Sequence, residues 1–220
     1  MNRLADPKAN TDGHEVAGSL VSHEPCVLMV PGLRDAVAQH WQTLLEASLR
    51  AAGKAVAVVP PMGREDLRCA SKVAAIEREA SAIRGPLVVV AHSAGCIMVA
   101  HWARQTERAV AAVLLAAPPD LEAAMPEGYP TLDALRAGGW LPVPRERLRF
   151  RSIVAASRND PLARFERVAD MARAWGSRLD DLGEVGHLNP ASGFGPWPKA
   201  EQYIAELSAL DVRSPPYRPI

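Results

Sequence analysis

The stretch Leu87-Val88-Val89-Val90-Ala91-His92-Ser93-Ala94-Gly95 joins a run of apolar residues to a serine with small residues around it. A second, almost entirely apolar run covers residues 96–103. The first run is short and rich in β-branched residues, which favours a strand buried on both faces, and the second indicates a buried helix. We therefore predict a strand that turns sharply into a helix. Ser93 lies at the corner, where its hydroxyl projects away from the backbone.

Strands and helices alternate on both sides of this corner. The predicted strands cover residues 26–30, 55–59, 87–91, 110–115, 152–156 and 178–182. The predicted helices cover residues 37–52, 67–83, 94–105, 132–137, 162–175 and 199–210. Continuous apolar strands indicate a parallel sheet covered by helices, and right-handed crossovers connect such strands. The sequence thus predicts an α/β fold, a doubly wound sheet of about six mainly parallel strands with helices on both faces.

We expect one domain over residues 25–210, preceded by a disordered leader (1–24) and followed by an extended tail (211–220). The segment 118–144 interrupts the alternation with several prolines and glycines. It follows the fourth predicted strand, where a cap over a site would be inserted. A long irregular connection in a compact domain is usually functional or disordered.

Composition excludes several classes of function. The 220-residue chain has 25 basic and 25 acidic residues, and without a basic tract we expect no nucleic-acid partner. No apolar run approaches the ~18 residues of a membrane span, so we expect no membrane contact. Cys26, Cys69 and Cys96 lack metal-binding spacing and are odd in number, which favours a reduced cytoplasm and no metal. The sequence leaves the oligomeric state open.

A serine hydroxyl at such a corner needs a base, and the base needs an acid to orient it. In this fold class the order along the chain is serine, acid, histidine, which places the base after the last strand. Of six histidines, His187 alone fits, in the glycine-rich segment 183–189. Two structural alternatives remain open: Ser93 could serve as a helix cap without a catalytic role, and His187 could likewise serve to cap a turn.

The acid should follow the fifth strand, and Asp160 does so in Ser157-Arg158-Asn159-Asp160-Pro161. An aspartate before proline is also a good helix cap, so Asp160 could serve either purpose or both. Asp120, after the fourth strand, is the runner-up acid.

Two backbone N–H groups could stabilise an oxyanion at this site. Ala94 directly follows the serine, and Leu33 lies in the loop after the first strand, where the second donor is expected. Arg34 and Asp35 follow on the same rim. They are candidate substrate contacts, although a solvated ion pair is an equal alternative.

Several motifs, taken in order and spacing, resemble the YdeN-like serine hydrolases, which are related to retinoblastoma-binding protein nine. The matching segments are Pro31-Gly32, His40-Trp41, residues 91–96, 117–120, 157–161, 186–189 and 193–195. The resemblance spans about residues 26–208 and implies a small α/β-hydrolase fold with a Ser–Asp–His triad and no metal. The triad carries over onto Ser93, Asp160 and His187. The family often has a serine where this chain has Ala36, and the retinoblastoma-binding motif Leu-x-Cys-x-Glu is absent.

These observations together predict a cytoplasmic, cofactor-free serine hydrolase that resembles a carboxylesterase. We expect it to cleave small esters or related acyl bonds through an acyl-enzyme, with a small-molecule acyl substrate as its partner. One alternative is a catalytically weak binding protein that keeps the fold. Another is a thioesterase or acyltransferase that uses the same three residues.

Overall fold

A computed structural model of the chain describes residues 24–33, 37–63 and 66–209. Within these residues, six strands form one sheet in the order β2-β1-β3-β4-β5-β6, and every neighbouring pair is parallel. The strands are β1 (Cys26–Val30), β2 (Val56–Val58), β3 (Leu87–His92), β4 (Ala112–Ala116), β5 (Arg151–Ala156) and β6 (Arg178–Asp181). The predicted fold class is confirmed.

Helices cover both faces of the sheet. They are α1 (Trp41–Ala51), α2 (Cys69–Ala82), α3 (Ala94–Ala103), α4 (Leu132–Ala137), α5 (Phe165–Trp175) and α6 (Pro198–Ser208). Trp41 of α1 and Ile204 of α6 belong to the apolar cluster on one face, which we call the α1/α6 face. Ile76 of α2, Ile97 of α3 and Met171 of α5 belong to the cluster on the other, the α2/α3/α5 face.

The central strands are apolar at every position because both of their faces are covered. All six residues of β3 and all five of β4 are buried. Along β3, Val88 and Val90 pack on the α1/α6 face, whereas Val89 and Ala91 pack on the opposite face. Side chains alternate between the two faces of a strand, and here both faces are covered. No position faces solvent, so the usual alternation of apolar and polar residues is absent.

The largest differences from the predicted bounds occur at two helix starts. The first helix begins at Trp41 rather than at residue 37, because the His40 side chain accepts a hydrogen bond from the Gln42 N–H and caps it. The fifth begins at Phe165 rather than at residue 162. The predicted leader lies outside the described residues except for Glu24, and the predicted tail lies wholly outside them. No helix in the described part of the chain is long and apolar enough to cross a membrane.

Candidate active site

Ser93 lies at the corner between β3 and α3 in a strained backbone conformation. Its φ of 54° and ψ of −131° are angles that residues with a side chain rarely adopt. The corner is tight because α3 begins immediately at Ala94 and packs back against the sheet. The partly exposed hydroxyl is thereby held at the carboxyl edge of the sheet.

Two glycines permit the backbone to pass this closely. A Cβ atom on Gly95 would lie 2.6 Å from the Val30 carbonyl oxygen and 2.7 Å from the Pro31 carbonyl oxygen, which is too close. A Cβ atom on Gly32 would lie 3.0 Å from the Ser93 Cβ atom. The loop after β1 therefore passes directly over the serine.

The structure brings Ser93, His187 and Asp160 together in one chain of hydrogen bonds. His187 Nε2 lies 2.7 Å from Ser93 Oγ, and His187 Nδ1 lies 2.8 Å from Asp160 Oδ2. The carboxylate can only accept at neutral pH, so Nδ1 carries the proton and Nε2 is free to accept from the serine hydroxyl. The side chains of His187 and Asp160 are 5% and 2% exposed. This arrangement can activate a serine hydroxyl as a nucleophile.

Asp160 does not cap a helix as the alternative expected, because α5 begins only at Phe165, but it makes a local bond in the turn before that helix. Its Oδ1 accepts a hydrogen bond of 2.8 Å from the Leu162 N–H in the turn that precedes α5. One oxygen of the carboxylate thus stabilises the turn, and the other bonds to His187.

Asp120, the runner-up acid, has a different set of partners. Arg167 Nε donates to it at 2.9 Å, and the Asp120 N–H donates to the Leu162 carbonyl at 3.0 Å. Arg167 also contacts Glu122 at 3.0 Å. Asp120 therefore anchors its own loop to α5, and its described bonds do not reach His187.

Two polar residues before Asp160 hold the loop that carries His187. Asn159 Oδ1 accepts from the Gly186 N–H at 2.6 Å, and Ser157 Oγ accepts from the Val185 N–H at 3.2 Å. Ser157 also donates to Asn159 at 3.0 Å. Sequence reasoning missed these roles, although two small polar residues just after a buried strand were a usable signal.

The far side of the same loop is held by Ser192. Its hydroxyl accepts from the His187 N–H at 3.0 Å and donates to Asn189 Oδ1 at 2.9 Å. Nothing in the spacing of Asn189 and Ser192 distinguishes this bond from an ordinary turn, so the sequence does not reveal it.

His92 contacts His187, His40 contacts His92 in turn, and the lowered pKa values of both favour their neutral forms. The ring centroid of His92 lies 5.1 Å from that of His187 and 4.8 Å from that of His40. Burial holds the pKa of His92 well below its usual range and lowers the pKa of His40 to about 4, and the neighbouring imidazoles add to both effects. The buried His92 Nε2 lies 2.9 Å from the His187 carbonyl oxygen, so it must donate.

A cavity of about 450 Å³ opens above Ser93. Leu33 and Ala94 line it beside the serine, and the N–H of Ala94, the first residue of α3, has no partner within the helix. These positions suit both predicted oxyanion donors. Residues of the predicted cap segment, from Pro119 to Pro130, form part of the wall. Arg34 and Asp35, the candidate substrate contacts, lie outside the described residues.

Within the described residues, no group of three or more His, Cys, Asp or Glu side chains is placed to hold a metal ion. The three cysteines are unpaired thiols. Cys96 is buried, and its Sγ lies 3.3 Å from the Ala116 carbonyl oxygen.

Comparison with known proteins supports the observed fold. A family profile described as serine hydrolase matches residues 27–206. A protein described as a YdeN-like hydrolase from Pectobacterium atrosepticum is 29% identical, with a TM-score of 0.69 over 85% of this chain and 92% of that one. The ydeN gene product of B. subtilis is 17% identical, with a TM-score of 0.66 over 83% of this chain and 98% of that one.

A more distant structure is Est1E from Butyrivibrio proteoclasticus, solved with ferulic acid bound. It is 12% identical and has a TM-score of 0.61 over 85% of this chain and 88% of that one, which supports the shared fold. No curated protein matches the chain significantly.

Proposed function

Since this chain belongs to the serine hydrolase family, we propose that it cleaves small carboxylic esters or related acyl bonds through an acyl-enzyme on Ser93. The observation that supports this most is the unbroken chain from Ser93 Oγ through His187 to Asp160, with bonds of 2.7 and 2.8 Å. It lies at the floor of a cavity of about 450 Å³, within the range of small-molecule sites.

In the proposed mechanism, His187 Nε2 takes the proton of the Ser93 hydroxyl as its oxygen attacks the substrate carbonyl. The tetrahedral intermediate collapses when His187 returns that proton to the leaving oxygen, which departs as an alcohol. Water then attacks the acyl-enzyme with His187 again as base, releasing the carboxylic acid and free Ser93. Asp160 holds the imidazole in the required tautomer and stabilises its charge.

The N–H groups of Leu33 and Ala94 would stabilise the oxyanion. Both residues border the cavity at Ser93, and removing one such donor typically costs about 3 kcal/mol of transition-state stabilisation. The neutrality of His40 and His92 also favours the mechanism, because no adjacent positive charge opposes the imidazolium that forms at His187.

Turnover of 4-nitrophenyl butyrate by the wild type and by Ser93→Ala tests the proposal. We expect steady turnover by the wild type and a loss of at least ~1000-fold in kcat for the variant. A panel of acyl thioesters and an added alcohol acceptor would identify a preference for thioester cleavage or acyl transfer. A wild type that turns over no member of the panel would favour the binding-protein alternative.

A further inference from the structure

We propose that the two ends of the cavity bind different halves of the substrate. The apolar end, formed by Leu33, Leu67, Leu121 and Met125, takes the acyl chain. The α1 end, formed by His40, Thr43 and Glu46, takes the leaving group. This inference rests on the proposed function and adds the substrate class to it: esters of a hydrophobic acyl chain with an uncharged polar alcohol.

The two ends lie on opposite faces of the sheet. Leu121, Leu33 and Met125 pack against the cluster of the α2/α3/α5 face. At the α1 end, Met29 and Val58 border the cavity and belong to or pack on the cluster of the α1/α6 face. The cavity therefore crosses the carboxyl edge of the sheet, with Ser93 between its ends.

The first turn of α1 is fixed at this edge. Gln42 Nε2 donates to the Val30 carbonyl at 3.3 Å and to the Val90 carbonyl at 3.2 Å, which ties the helix to the ends of β1 and β3. Thr43 and Glu46 occupy adjacent positions of the helix, three residues apart, and both border the cavity.

The apolar end has its own anchor. The Trp140 indole N–H donates to the Leu67 carbonyl at 2.6 Å, and the ion pair of Asp120 with Arg167, at 2.9 Å, holds the segment that carries Leu121. These bonds hold residues at both ends of the cavity in place, so each end can select by shape.

The position of His187 decides which half goes where. Its Nε2 must return a proton to the leaving oxygen, so the leaving group lies on the His187 side of Ser93. His187 is joined to the α1 end through His92, whose ring lies 5.1 Å from His187 and 4.8 Å from His40. Asn189, just beyond His187, borders the cavity as well. The acyl chain is left with the opposite, apolar end.

The chemistry of each end fits this assignment. Leu33, Leu67, Leu121 and Met125 offer no polar side-chain group to an acyl chain, and burial of each methylene there should raise kcat/KM about fourfold. At the α1 end, His40 Nδ1 accepts from the Gln42 N–H at 3.2 Å, so the neutral ring carries its proton on Nε2 and can donate. Thr43 adds a hydroxyl. Glu46 is paired with Arg50 at 2.9 Å, so it brings no net positive charge that would attract an anionic leaving group.

A crossover experiment tests the assignment with two substrate pairs. The acyl pair is 4-nitrophenyl acetate and octanoate, which share a leaving group, and the leaving-group pair is methyl and glyceryl butyrate, which share an acyl group. We expect Met125→Trp to lower the octanoate-to-acetate ratio of kcat/KM at least about tenfold. We expect Thr43→Trp, which fills the α1 end and removes its hydroxyl, to lower the glyceryl-to-methyl ratio by a similar factor.

Ala51→Trp, at an exposed position near the end of α1, is the control and should change neither ratio. If Met125→Trp does not fold, Met125→Ala is used instead. This smaller residue should raise kcat/KM for esters with acyl chains longer than octanoate, relative to kcat/KM for the acetate ester. Crossed effects would overturn the assignment: a change in leaving-group selection in a Met125 variant, or a change in acyl-chain selection in Thr43→Trp. The absence of a change in either ratio would also overturn it. Fluorophosphonate labelling of the wild type distinguishes failure of this assignment from failure of the proposed function. If Ser93 is not labelled, the proposed function itself is refuted.

Discussion

Ser93 and His187 touch in space, but the chain holds them in different ways. The Ser93 corner is held by close packing: β3 is wholly buried, and Gly95 fits against two backbone carbonyls that leave no room for a side chain. The His187 loop is also packed, since Leu188 is buried and a Cβ atom on Gly186 would lie 2.5 Å from the Ser192 side chain. It depends in addition on hydrogen bonds with the side chains of Asn159, Ser192 and His92. A position fixed by close packing is disturbed when a substitution adds an atom. A position fixed by hydrogen bonds is disturbed when a substitution removes a donor or an acceptor.

The largest expected effect comes from Asp160→Asn, which removes the acid that orients His187. The amide can present its N–H to Nδ1 and so favour the wrong tautomer, which should lower kcat about 10⁴-fold. The matched control is Asp120→Asn, since Asp120 pairs with Arg167 at 2.9 Å instead. Steady-state ester hydrolysis should show less than about a tenfold loss for the control, because the amide oxygen can still accept from Arg167, which also keeps its contact with Glu122 at 3.0 Å. Equal losses in both variants would contradict the choice of acid.

Gly95→Ala should disturb the corner and lower the free energy of unfolding. Its Cβ atom would lie 2.6 Å from the Val30 carbonyl oxygen, and the backbone must move to relieve the clash. We expect a loss of about 3 kcal/mol in the free energy of unfolding, measured by urea denaturation. Gly195→Ala, where no heavy atom lies within 4 Å of the added Cβ, is the matched control. Comparable stability of the two variants would contradict the steric account of the corner.

His92→Leu should disturb the loop rather than the corner. It removes the donor to the His187 carbonyl at 2.9 Å, and an unsatisfied buried acceptor costs about 1–3 kcal/mol. We expect kcat for ester hydrolysis to fall about tenfold with little change in KM, because His187 shifts relative to Ser93.

The control for this variant is His101→Leu, which removes a similar bond of 3.1 Å to the Trp140 carbonyl. His92→Gln keeps an N–H donor and should recover part of the lost kcat. A purely structural role for His92 predicts no such recovery and similar kcat values for the His92→Leu and His101→Leu variants.

The smallest effect is a dependence of stability on pH. Burial lowers the pKa values of His40, to about 4, and of His92 in the folded state, whereas the unfolded chain takes up protons near the usual histidine pKa of about 6.5. The unfolded state therefore binds more protons as the pH falls below about 6.5, and the free energy of unfolding decreases towards pH 5.

Urea denaturation at pH 7, 6 and 5 measures this slope. His101, whose pKa burial also lowers, contributes in the same direction, so the comparison is with His40→Gln, which should show a shallower decrease. A free energy of unfolding that rises between pH 7 and pH 5 would contradict the account of neutral, buried imidazoles.

The difference between corner and loop also explains what the sequence could predict. The strand, Ser93 and Gly95 are consecutive residues, and the apolar runs on either side indicate burial directly. The parallel sheet could be predicted because similar continuous apolar runs recur along the chain, as is typical of strands buried on both faces. Asp160 and His187 could be placed because the ends of parallel strands meet at one edge of the sheet.

The bonds that hold His187 could not be predicted, since they join residues 95 positions apart in the case of His92. Serine and asparagine occur in many turns, and only the tertiary structure shows which backbone groups they meet. The starts of α1 and α5 were missed for a related reason: side-chain caps and turns, rather than apolar periodicity, decide where these helices begin.

The most direct test of the central claim is the intact mass of the protein after treatment with a fluorophosphonate, followed by peptide mapping. The account predicts a single adduct on Ser93, absent from Ser93→Ala and formed much more slowly by Asp160→Asn. An adduct on another residue, or equal labelling of the wild type and Ser93→Ala, would contradict it.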